Sequence, residues 1–389
     1  MSWASAPLRE HLAKLGSGIT PRGGSNVYVE TGTALIRSQN IYNNRFEPGG
    51  LAFINESQAE IMRGVTVCAG DVLLNITGDS VARCCQVPFD VLPARVNQHV
   101  MIIRPKPGEF DARYLAYQLT GPFFQSTLLS IAGSGGTRKA LTKAMIERLE
   151  MPRPEIQEQQ RIAAILSAYD DLIDNNRRRI ELLEEAARQL YKEWFVRFRF
   201  PGHEHGKIID GVPEGWSKHK ITDVWDISYG KNLPTSLISD TGTFPVHGAD
   251  GIIGFYGEKN VDQRLCLITC RGAGSGNVRR TFGPTFVTNN CLTLKPKLKA
   301  DLINFHFAIH AMTELKIQEL KTGAAQPQIT IAGIGHVPAL VPSHALLDAY
   351  NVEVDPIFDL ADLIRLQNDK LAKARDLLLP RLMNGSLTG

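Results

Sequence analysis

The chain has 389 residues, of which 43% are hydrophobic and 21% are charged, a composition that excludes a disordered or fibrous protein. The 43 Lys and Arg residues exceed the 40 Asp and Glu residues by only three, so net charge alone does not indicate a nucleic-acid partner. No apolar run reaches the about 18 residues of a membrane-spanning helix, and the N-terminal stretch lacks a signal-peptide pattern. We therefore expect a cytoplasmic protein without a membrane partner.

The first predicted domain covers residues 1–152. Short apolar, β-branched stretches at residues 72–77 and 100–103 alternate with polar and glycine-rich segments, which is typical of a sheet-centred domain. This block carries 15 basic and 12 acidic side chains. The small surplus fits a surface that faces DNA phosphates and equally fits an ordinary solvated surface.

A long helix is predicted over residues 153–200. Its apolar residues alternate at spacings of three and four, which is the seam of a coiled coil, and the helix lies between Pro154 and Pro201. About 44 residues would form a rod of roughly 65 Å. The predicted seam includes Ile162, Leu166, Tyr169, Ile173, Asn176, Ile180 and Leu183.

The second half of the chain repeats this design. Residues 201–342 predict another sheet-centred domain, with strand patterns at residues 265–269 and 291–294. Residues 343–389 predict a second long helix, with Pro356 before its seam and Gly385 after it. That seam begins with Ile357, Leu360, Ile364, Gln367 and Leu371 and continues to Arg381.

Matching positions support a true duplication. Asn176 and Gln367 are 191 positions apart, as are Ile173 and Ile364. Each helix therefore carries one amide side chain at the same place in its seam. A buried amide in a coiled-coil seam can fix the register of the two helices. The two domains also match each other, since each begins near a tryptophan, Trp3 or Trp216. Two further pairs of segments are similar: VNQHVMIIRPK from residue 96 and VTNNCLTLKPK from residue 287, and GTRKALT from residue 136 and AAQPQIT from residue 324. The predicted fold is mixed α/β, with two pseudo-two-fold-related domains joined by two long antiparallel coiled-coil helices.

The most specific stretches of the sequence are MPRPEIQEQQRIAAILSAYDDLIDNNRRRIELLEEAARQLYKEWFVRF from residue 151 and LADLIRLQNDKLAKARDLLLPRLMNG from residue 360. With these stretches and this organisation, the sequence resembles the specificity (S) subunits of type I restriction–modification enzymes over its whole length. The first stretch resembles the family's central conserved helix, and the second is similar to the distal one. The resemblance implies two target-recognition domains, each recognising one half of a bipartite, asymmetric DNA site.

The resemblance also implies a complex. One copy of the chain would bind double-stranded DNA, dock two modification (methyltransferase) subunits and join restriction (motor-nuclease) subunits. S-adenosylmethionine, ATP and Mg would be bound by those partners, whereas this chain would hold no cofactor and catalyse no reaction. The assembled complex would be an adenine-specific DNA methyltransferase and an ATP-dependent endonuclease.

Two other functions stay open from the residues alone: a non-enzymatic protein scaffold and an independent DNA methyltransferase. Residues 272–276 imitate a glycine-rich cofactor loop, but residues 277–284 predict strand and turn where such a loop needs a helix. The Asn-Pro-Pro-aromatic or Asp-Pro-Pro-aromatic signature of amino-methyltransferases does not occur. The six cysteines lack zinc-type spacing, which predicts buried thiols and no metal site.

Polar residues in loops beside strands are the DNA-binding candidates, because Arg, Lys, Asn and Gln match base edges and phosphates. Each is equally compatible with an ordinary surface role. They are Arg37, Gln39, Asn40, Asn75, Arg83, Gln98, Arg138 and Lys139 in the first domain, and Lys231, His247, Arg271, Asn277, Arg279, Arg280, Asn289 and Gln326 in the second. The aromatic residues that end the central helix exceed what one seam can bury, so Trp194 and Phe195 are candidates for docking a partner or packing on a domain.

Overall fold

The computed structural model describes residues 3–133, 139–272, 274–298, 303–323 and 327–387. The candidates Arg138 and Gln326 lie outside these residues. The chain forms two compact units: unit 1 comprises Met1–Asn175 and Gln367–Gly389, and unit 2 comprises Asn176–Leu366. Within the described residues, no helix is long and apolar enough to span a membrane.

Unit 1 is built on short, mostly antiparallel strands. They are β1 Ser5–Pro7, β2 Leu12–Ser17, β3 Tyr28–Val29, β4 Thr33–Ile36, β5 Ile41–Tyr42, β6 Arg45–Phe46, β7 Ala52–Ile54, β8 Thr66–Val67, β9 Val72–Asn75, β10 Cys84–Gln86, β11 Ala94–Val96, β12 Val100–Pro105 and β13 Glu150–Pro152. A four-stranded sheet has the order β10-β9-β12-β2, and a five-stranded sheet has the order β3-β7-β4-β11-β8. β1 pairs with β13, and β5 pairs with β6.

Unit 2 is also built on short strands. They are β14 Ile208–Ile209, β15 Val212–Pro213, β16 Ser217–Lys220, β17 Trp225–Tyr229, β18 Phe244–Gly248, β19 Gly251–Tyr256, β20 Cys266–Thr269, β21 Val278–Arg280, β22 Phe286–Val287, β23 Cys291–Pro296 and β24 Pro338–Val341. The unit repeats the four-stranded sheet in the order β17-β23-β20-β21 and adds a three-stranded sheet, β19-β18-β22. Its other strands pair as β16 with β24 and β14 with β15.

Two of the helices are long, as predicted: 36 and 40 residues. The α-helices are α1 Glu56–Ile61, α2 Ala112–Thr120, α3 Pro122–Gly133, α4 Lys143–Glu147, α5 Ile156–Tyr191, α6 Ile221–Val224, α7 Phe305–Glu314, α8 Ile331–Gly335 and α9 His344–Met383. α5 continues into a π-helical turn at Lys192–Val196. The mixed α/β fold and the long helices confirm the predicted fold class.

The central strands β9 and β20 are mostly apolar, because both of their faces are buried. In β9 of unit 1, Val72 and Leu74 pack in one cluster with α2 and α3. Leu73 between them packs in another cluster with the five-stranded sheet. In β20 of unit 2, Cys266 and Leu267 divide between two clusters in the same way.

Within each unit, parts of the two long helices pack antiparallel. In unit 1, Arg375 of α9 forms an ion pair with Asp170 of α5, and Asn368 Nδ2 donates to Ile173 O at 3.3 Å. In unit 2, Ile180 packs with Ala361 and Ile364, and Arg365 binds Glu184 at 2.6 Å. The predicted antiparallel seam is thus present in both units.

The phase of the distal seam differs from the prediction. Leu360 is 41% exposed and Gln367 is exposed, whereas Phe358 and Ala361 are buried. Asn368, one position after Gln367, supplies the amide that bonds to α5. Apolar residues spaced three and four apart fit two seams of α9 that are shifted by one residue almost equally well. Contact with the rest of the protein therefore decides which face of α9 is buried.

The distal helix begins within the predicted range of residues 343–389 and includes Pro356. α9 begins at His344, where Ser343 Oγ accepts from Leu346 N–H at 3.3 Å. Pro356, which precedes the predicted seam, therefore lies inside the helix. The carbonyl that loses its helical partner there belongs to Val352, which is 67% exposed, so water can solvate that carbonyl.

Candidate nucleic-acid interface

In unit 1, the chain that leaves β2 lies against the turn before β12. Gly18 N–H donates to Val100 O at 2.9 Å, and Ile19 N–H donates to Val96 O at 3.3 Å. A Cβ on Gly18 would stand 2.1 Å from Val96 O, so the close approach requires glycine.

The end of β9 meets the same turn, and the segment before β10 lies beside that end, because antiparallel neighbours bring the end of one strand next to the start of the other. Ile76 N–H donates to His99 O at 2.9 Å, and Leu141 N–H donates to Ile76 O at 2.8 Å. Asn75 N–H donates to Arg83 O at 2.8 Å. We call the surface formed by residues 18–20, 75–83, 97–99 and 139–141 polar edge 1.

Unit 2 builds the same backbone frame. Gly230 N–H donates to Cys291 O and Lys231 N–H donates to Val287 O, both at 3.0 Å. A Cβ on Gly230 would stand 2.2 Å from Thr288 O, which repeats the constraint on the glycine of unit 1.

The end of β20 completes this second frame. Cys270 N–H donates to Asn290 O at 2.8 Å, and Ile329 N–H donates to Cys270 O at 2.9 Å. Thr269 N–H donates to Asn277 O at 2.9 Å. We call the surface formed by residues 230–232, 269–272, 274–277, 288–290 and 327–329 polar edge 2.

Matching hydrogen bonds define equivalent positions on the two edges, and most of their side chains differ. The isolated bridge between Thr77 and Ala140 in unit 1 corresponds to the bridge between Arg271 and Gln328 in unit 2. The equivalent pairs of side chains are Thr77 and Arg271, Arg83 and Asn277, Gln98 and Asn289, and His99 and Asn290. One frame therefore presents two different sets of donors and acceptors.

On polar edge 1, a hydrogen-bonded chain holds Gln98 in place. Thr20 Oγ1 donates to Gln98 Oε1, and Gln98 Nε2 lies 3.0 Å from His99 Nε2. Because the amide nitrogen can only donate, His99 Nε2 accepts, and its other nitrogen, Nδ1, donates to Thr77 Oγ1 at 2.6 Å. The exposed Gln98 amide keeps one N–H and one acceptor site for another molecule. Lys139 is also exposed.

On polar edge 2, the side chains are more loosely connected. Arg271 and Lys231 are exposed, while Asn289 is half-buried. Gln318 Nε2 donates to Asn277 Oδ1 at 2.8 Å. This edge thus presents two cations and at least one amide.

The remaining candidates of the first domain mostly hold loops together. Arg37 Nη2 and Gln39 Nε2 both donate to Gly50 O, at 2.5 and 3.2 Å. Asn40 is fully buried and donates from Nδ2 to Glu47 O at 2.9 Å.

Two further candidates, Asn75 and Arg83, belong to polar edge 1. Asn75 is fully buried and donates from Nδ2 to Ser38 O at 2.9 Å. The Arg83 guanidinium lies 4.7 Å from the centre of the Tyr42 ring, a cation–π contact that leaves it half-exposed at the rim.

Two candidates of the second domain take structural positions. His247 is 3% exposed and is equivalent to Ile36, since Thr288 N–H donates to His247 O as Asn97 N–H donates to Ile36 O. Burial, reinforced by the half-buried Arg279 nearby, lowers the pKa of His247 to about 4. His247 is therefore a neutral sheet residue and not an available base contact.

Arg280 is likewise withdrawn from solvent. It is 7% exposed, and its Nη2 lies 2.7 Å from Asp362 Oδ1 and 3.4 Å from Glu184 Oε1. Burial lowers the pKa of this guanidinium, which the two carboxylates oppose. Its role within unit 2 is to join β21 to the two long helices.

The two docking candidates are also buried. Trp194 and Phe195 are 7% and 5% exposed and belong to the main core cluster of unit 2, so packing on the domain, and not docking, accounts for them. The exposed apolar residues of the long helices were missed in the sequence. Leu172 is 38% exposed and Leu363 is 64% exposed, and these two leucines are 191 positions apart.

The described residues contain no group of three or more His, Cys, Asp or Glu side chains that could hold a metal ion. The glycine-rich loop after β20 leads into β21, which confirms the predicted strand after it. Ser275 in this loop is buried and donates to Pro327 O at 2.8 Å. Through this hydrogen bond, the loop holds two segments of polar edge 2 together.

The sequence matches the family described as Type I restriction modification DNA specificity domain over residues 32–185 and 213–344, which is more than half of the chain. The chain belongs to this family of type I specificity subunits. The repeated unit of domain and long helix is thus a feature of a specificity subunit, as the resemblance implied.

Relatives are similar over most of their length. The type I restriction enzyme MjaIX specificity subunit of Methanocaldococcus jannaschii is 26% identical and covers 76% of this chain and 73% of that protein. The HindI specificity subunit of Haemophilus influenzae is 21% identical and covers 97% of this chain and 98% of that protein. The crystal structure of an S subunit from M. genitalium aligns with a TM-score of 0.59 at 19% identity, covering 98% of this chain and 96% of that one, which shows a shared fold.

Proposed function

We propose that polar edges 1 and 2 recognise the two different halves of a bipartite, asymmetric DNA site. The observation that carries this proposal is the repeated backbone frame with different side chains at equivalent positions. A frame of this kind fixes where a base edge can approach, while each set of donors and acceptors selects the base.

The exposed side chains fit this role chemically. Gln98 can offer one N–H and one acceptor together, the pattern that pairs with the major-groove edge of adenine. Lys139 on edge 1 and Lys231 and Arg271 on edge 2 are exposed cations that suit phosphate contacts. Arg37, Gln39, Asn40, Asn75, His247 and Arg280 would act by holding loops and strands in place.

The same proposal assigns the chemistry to partners. Two modification subunits would dock on the long helices, and the leucines Leu172 and Leu363 support this, since they expose an apolar side chain at equivalent places in the two units. Restriction subunits would join that core around one copy of this chain. S-adenosylmethionine, ATP and Mg would be held by those subunits, and the complex would methylate adenine and cleave DNA.

The test maps methylated adenines in cells that express the chain with its modification subunit. Gln98→Ala should relax one half of the methylated motif, and Asn289→Ala should relax the other half, because the two positions are equivalent. Gln189→Ala, which changes an exposed amide on α5, is the matched control and should leave the motif intact. If both variants changed the same half, or neither changed any, the proposal would fail.

A salt titration separates DNA recognition from the scaffold alternative. Lys139→Ala in the assembled complex should make the slope of log affinity against log salt shallower by about 0.9 for one lost phosphate contact. A scaffold would show weak DNA binding without sequence preference in the wild-type complex. An independent methyltransferase would require S-adenosylmethionine to bind the purified chain.

A further inference from the structure

Unit 1 contains an open apolar cavity of about 510 Å³ beside the end of α9. Its lining includes Trp3, Gln118, Phe123, Pro152 and Met383. Phe123 at its rim is 74% exposed. A cavity of this size is in the range of specific binding sites.

The equivalent place in unit 2 is identified by the strands beside it. Leu8 N–H donates to Leu149 O in unit 1, and Ile221 N–H donates to Val337 O in unit 2. Trp3 and Trp216 each stand five positions before these donors. The two tryptophans are therefore equivalent, as the sequence predicted.

In unit 2 this place is filled with aromatic rings from the end of α5. The rings of Phe195, Phe198 and Phe200 lie 5.8, 5.3 and 5.7 Å from that of Trp216. Phe195 also contacts Phe307 of α7 at 5.2 Å between ring centres. Aromatic rings are thus the natural filling of this site.

The corresponding helix of unit 1 brings no such ring. At the 191-position offset, Ser386 is the counterpart of Phe195, and Gly385 is the counterpart of Trp194. α9 ends at Met383, and Gly385 turns the chain with a φ of +71°. The helix that fills the site in unit 2 therefore stops short in unit 1.

Two polar atoms give the open cavity a specific chemistry. Gln118 is 2% exposed, and its Oε1 is buried without a hydrogen-bond partner among the described residues. Its Nε2 is already used, since it donates to Pro152 O at 3.1 Å. Trp3 Nε1 is likewise buried without a partner there. Two residues of the lining thus carry an acceptor and a donor that lie beneath the surface and have no partner among the described residues.

We infer that this cavity receives a tryptophan or tyrosine side chain of the modification subunit, an inference that rests on the proposed function. The aromatic filling of the equivalent site specifies a ring, and the unpaired Gln118 Oε1 specifies a ring that carries an N–H or O–H donor. Leaving that acceptor unpaired costs free energy, so a donor ring should bind more tightly than phenylalanine. Unit 1 would thus be filled by an aromatic ring of the partner subunit at the place where unit 2 is filled by rings of its own chain.

The first arm of the test uses a dye-labelled peptide with the sequence of residues 191–200, YKEWFVRFRF, and the purified full chain. We expect saturable binding, roughly tenfold weaker to Phe123→Asp than to wild type. Phe89→Asp, which alters a phenylalanine of unit 1 that is 83% exposed but does not line the cavity, is the matched control. A peptide with Phe195 replaced by tyrosine should bind more tightly, because this ring contacts Trp216 in the equivalent site and its added hydroxyl can donate to Gln118 Oε1.

The second arm places a photo-crosslinking phenylalanine analogue at position 123 or 89 in the complex with the modification subunit. We expect a cross-link to a tryptophan- or tyrosine-containing segment of that subunit from position 123 and none from position 89. Peptide binding that ignores Phe123→Asp, or a complex that forms without a cross-link at position 123, would overturn the inference. A failure of the wild-type chain to assemble with the modification subunit would instead count against the proposed function, and the peptide arm would still decide what the cavity binds.

Discussion

The two units share a backbone frame, but they differ where a long helix ends. This helix is α9 in unit 1 and α5 in unit 2. In unit 2, rings at the end of α5 pack around Trp216, whereas in unit 1 the equivalent Trp3 lines an open cavity. The backbone hydrogen bonds around both tryptophans match. Duplicated halves of one chain can therefore keep their strand geometry while one of them closes a site that the other leaves open.

The polar edges diverge in the same manner. Gly18 and Gly230 preserve the close approach of the chain in both units, because any Cβ there would overlap backbone oxygen. Side chains that do not set the frame are free to differ, as Gln98 and Asn289 do. Each polar edge thus contains two kinds of position within a few residues. Some are fixed by backbone packing, and others can carry different side chains in the two units.

The largest expected difference between the units concerns the aromatic site. Phe195→Ala should lower the free energy of unfolding by about 3–5 kcal/mol, because it leaves a cavity among buried rings. Its counterpart, Ser386→Ala, should change that free energy by less than about 1 kcal/mol, since it removes one exposed hydrogen bond, to Arg381 O. Urea denaturation followed by tryptophan fluorescence measures both. Comparable losses for the two variants would contradict the contrast.

The next effect should be equal in the two units. Gly18→Ala and Gly230→Ala should each destabilise the chain by about 3 kcal/mol, the upper end of the usual cost of overpacking, because the obstructing atoms are backbone oxygens. Gly16→Ala is the control, since a Cβ there meets no atom within 4 Å. Denaturation midpoints compare the three variants. A large loss at only one of the two glycines would show that the frames are not equivalent.

The smallest effect depends on pH and concerns His247, where unit 1 has Ile36. The pKa of His247 in the folded chain, about 4, lies below the roughly 6.5 of an unfolded histidine. Its contribution to stability is thus complete above about pH 6.5 and is lost as the pH falls towards 4. His247→Ile should reduce the loss of stability between pH 8 and pH 5 by about 2 kcal/mol.

Denaturation at both pH values measures this change. His336→Gln, at an exposed position, serves as the control and should leave the pH dependence unaltered. An unchanged pH dependence in His247→Ile would show that His247 does not contribute to acid sensitivity.

Some polar contacts could not be predicted from the sequence, because the residues that form them are far apart in the chain. His99 was not a candidate, yet it connects Gln98 to Thr77. Arg279 and Arg280 were both DNA-binding candidates, but Asp362, far along the chain, binds the Arg280 guanidinium. A run of charges in a sequence does not show which of them meets a carboxylate in the folded chain.

Local patterns were sufficient for the duplication, the two long helices and the apolar central strands, because helix periodicity and buried strands leave their mark on neighbouring residues. They were not sufficient for the phase of the α9 seam or for the burial of Trp194 and Phe195. Those features depend on which surface of a domain covers a helix, and that contact joins residues far apart in the chain. The open cavity at Trp3 has the same origin, since it exists only where a distant helix ends early.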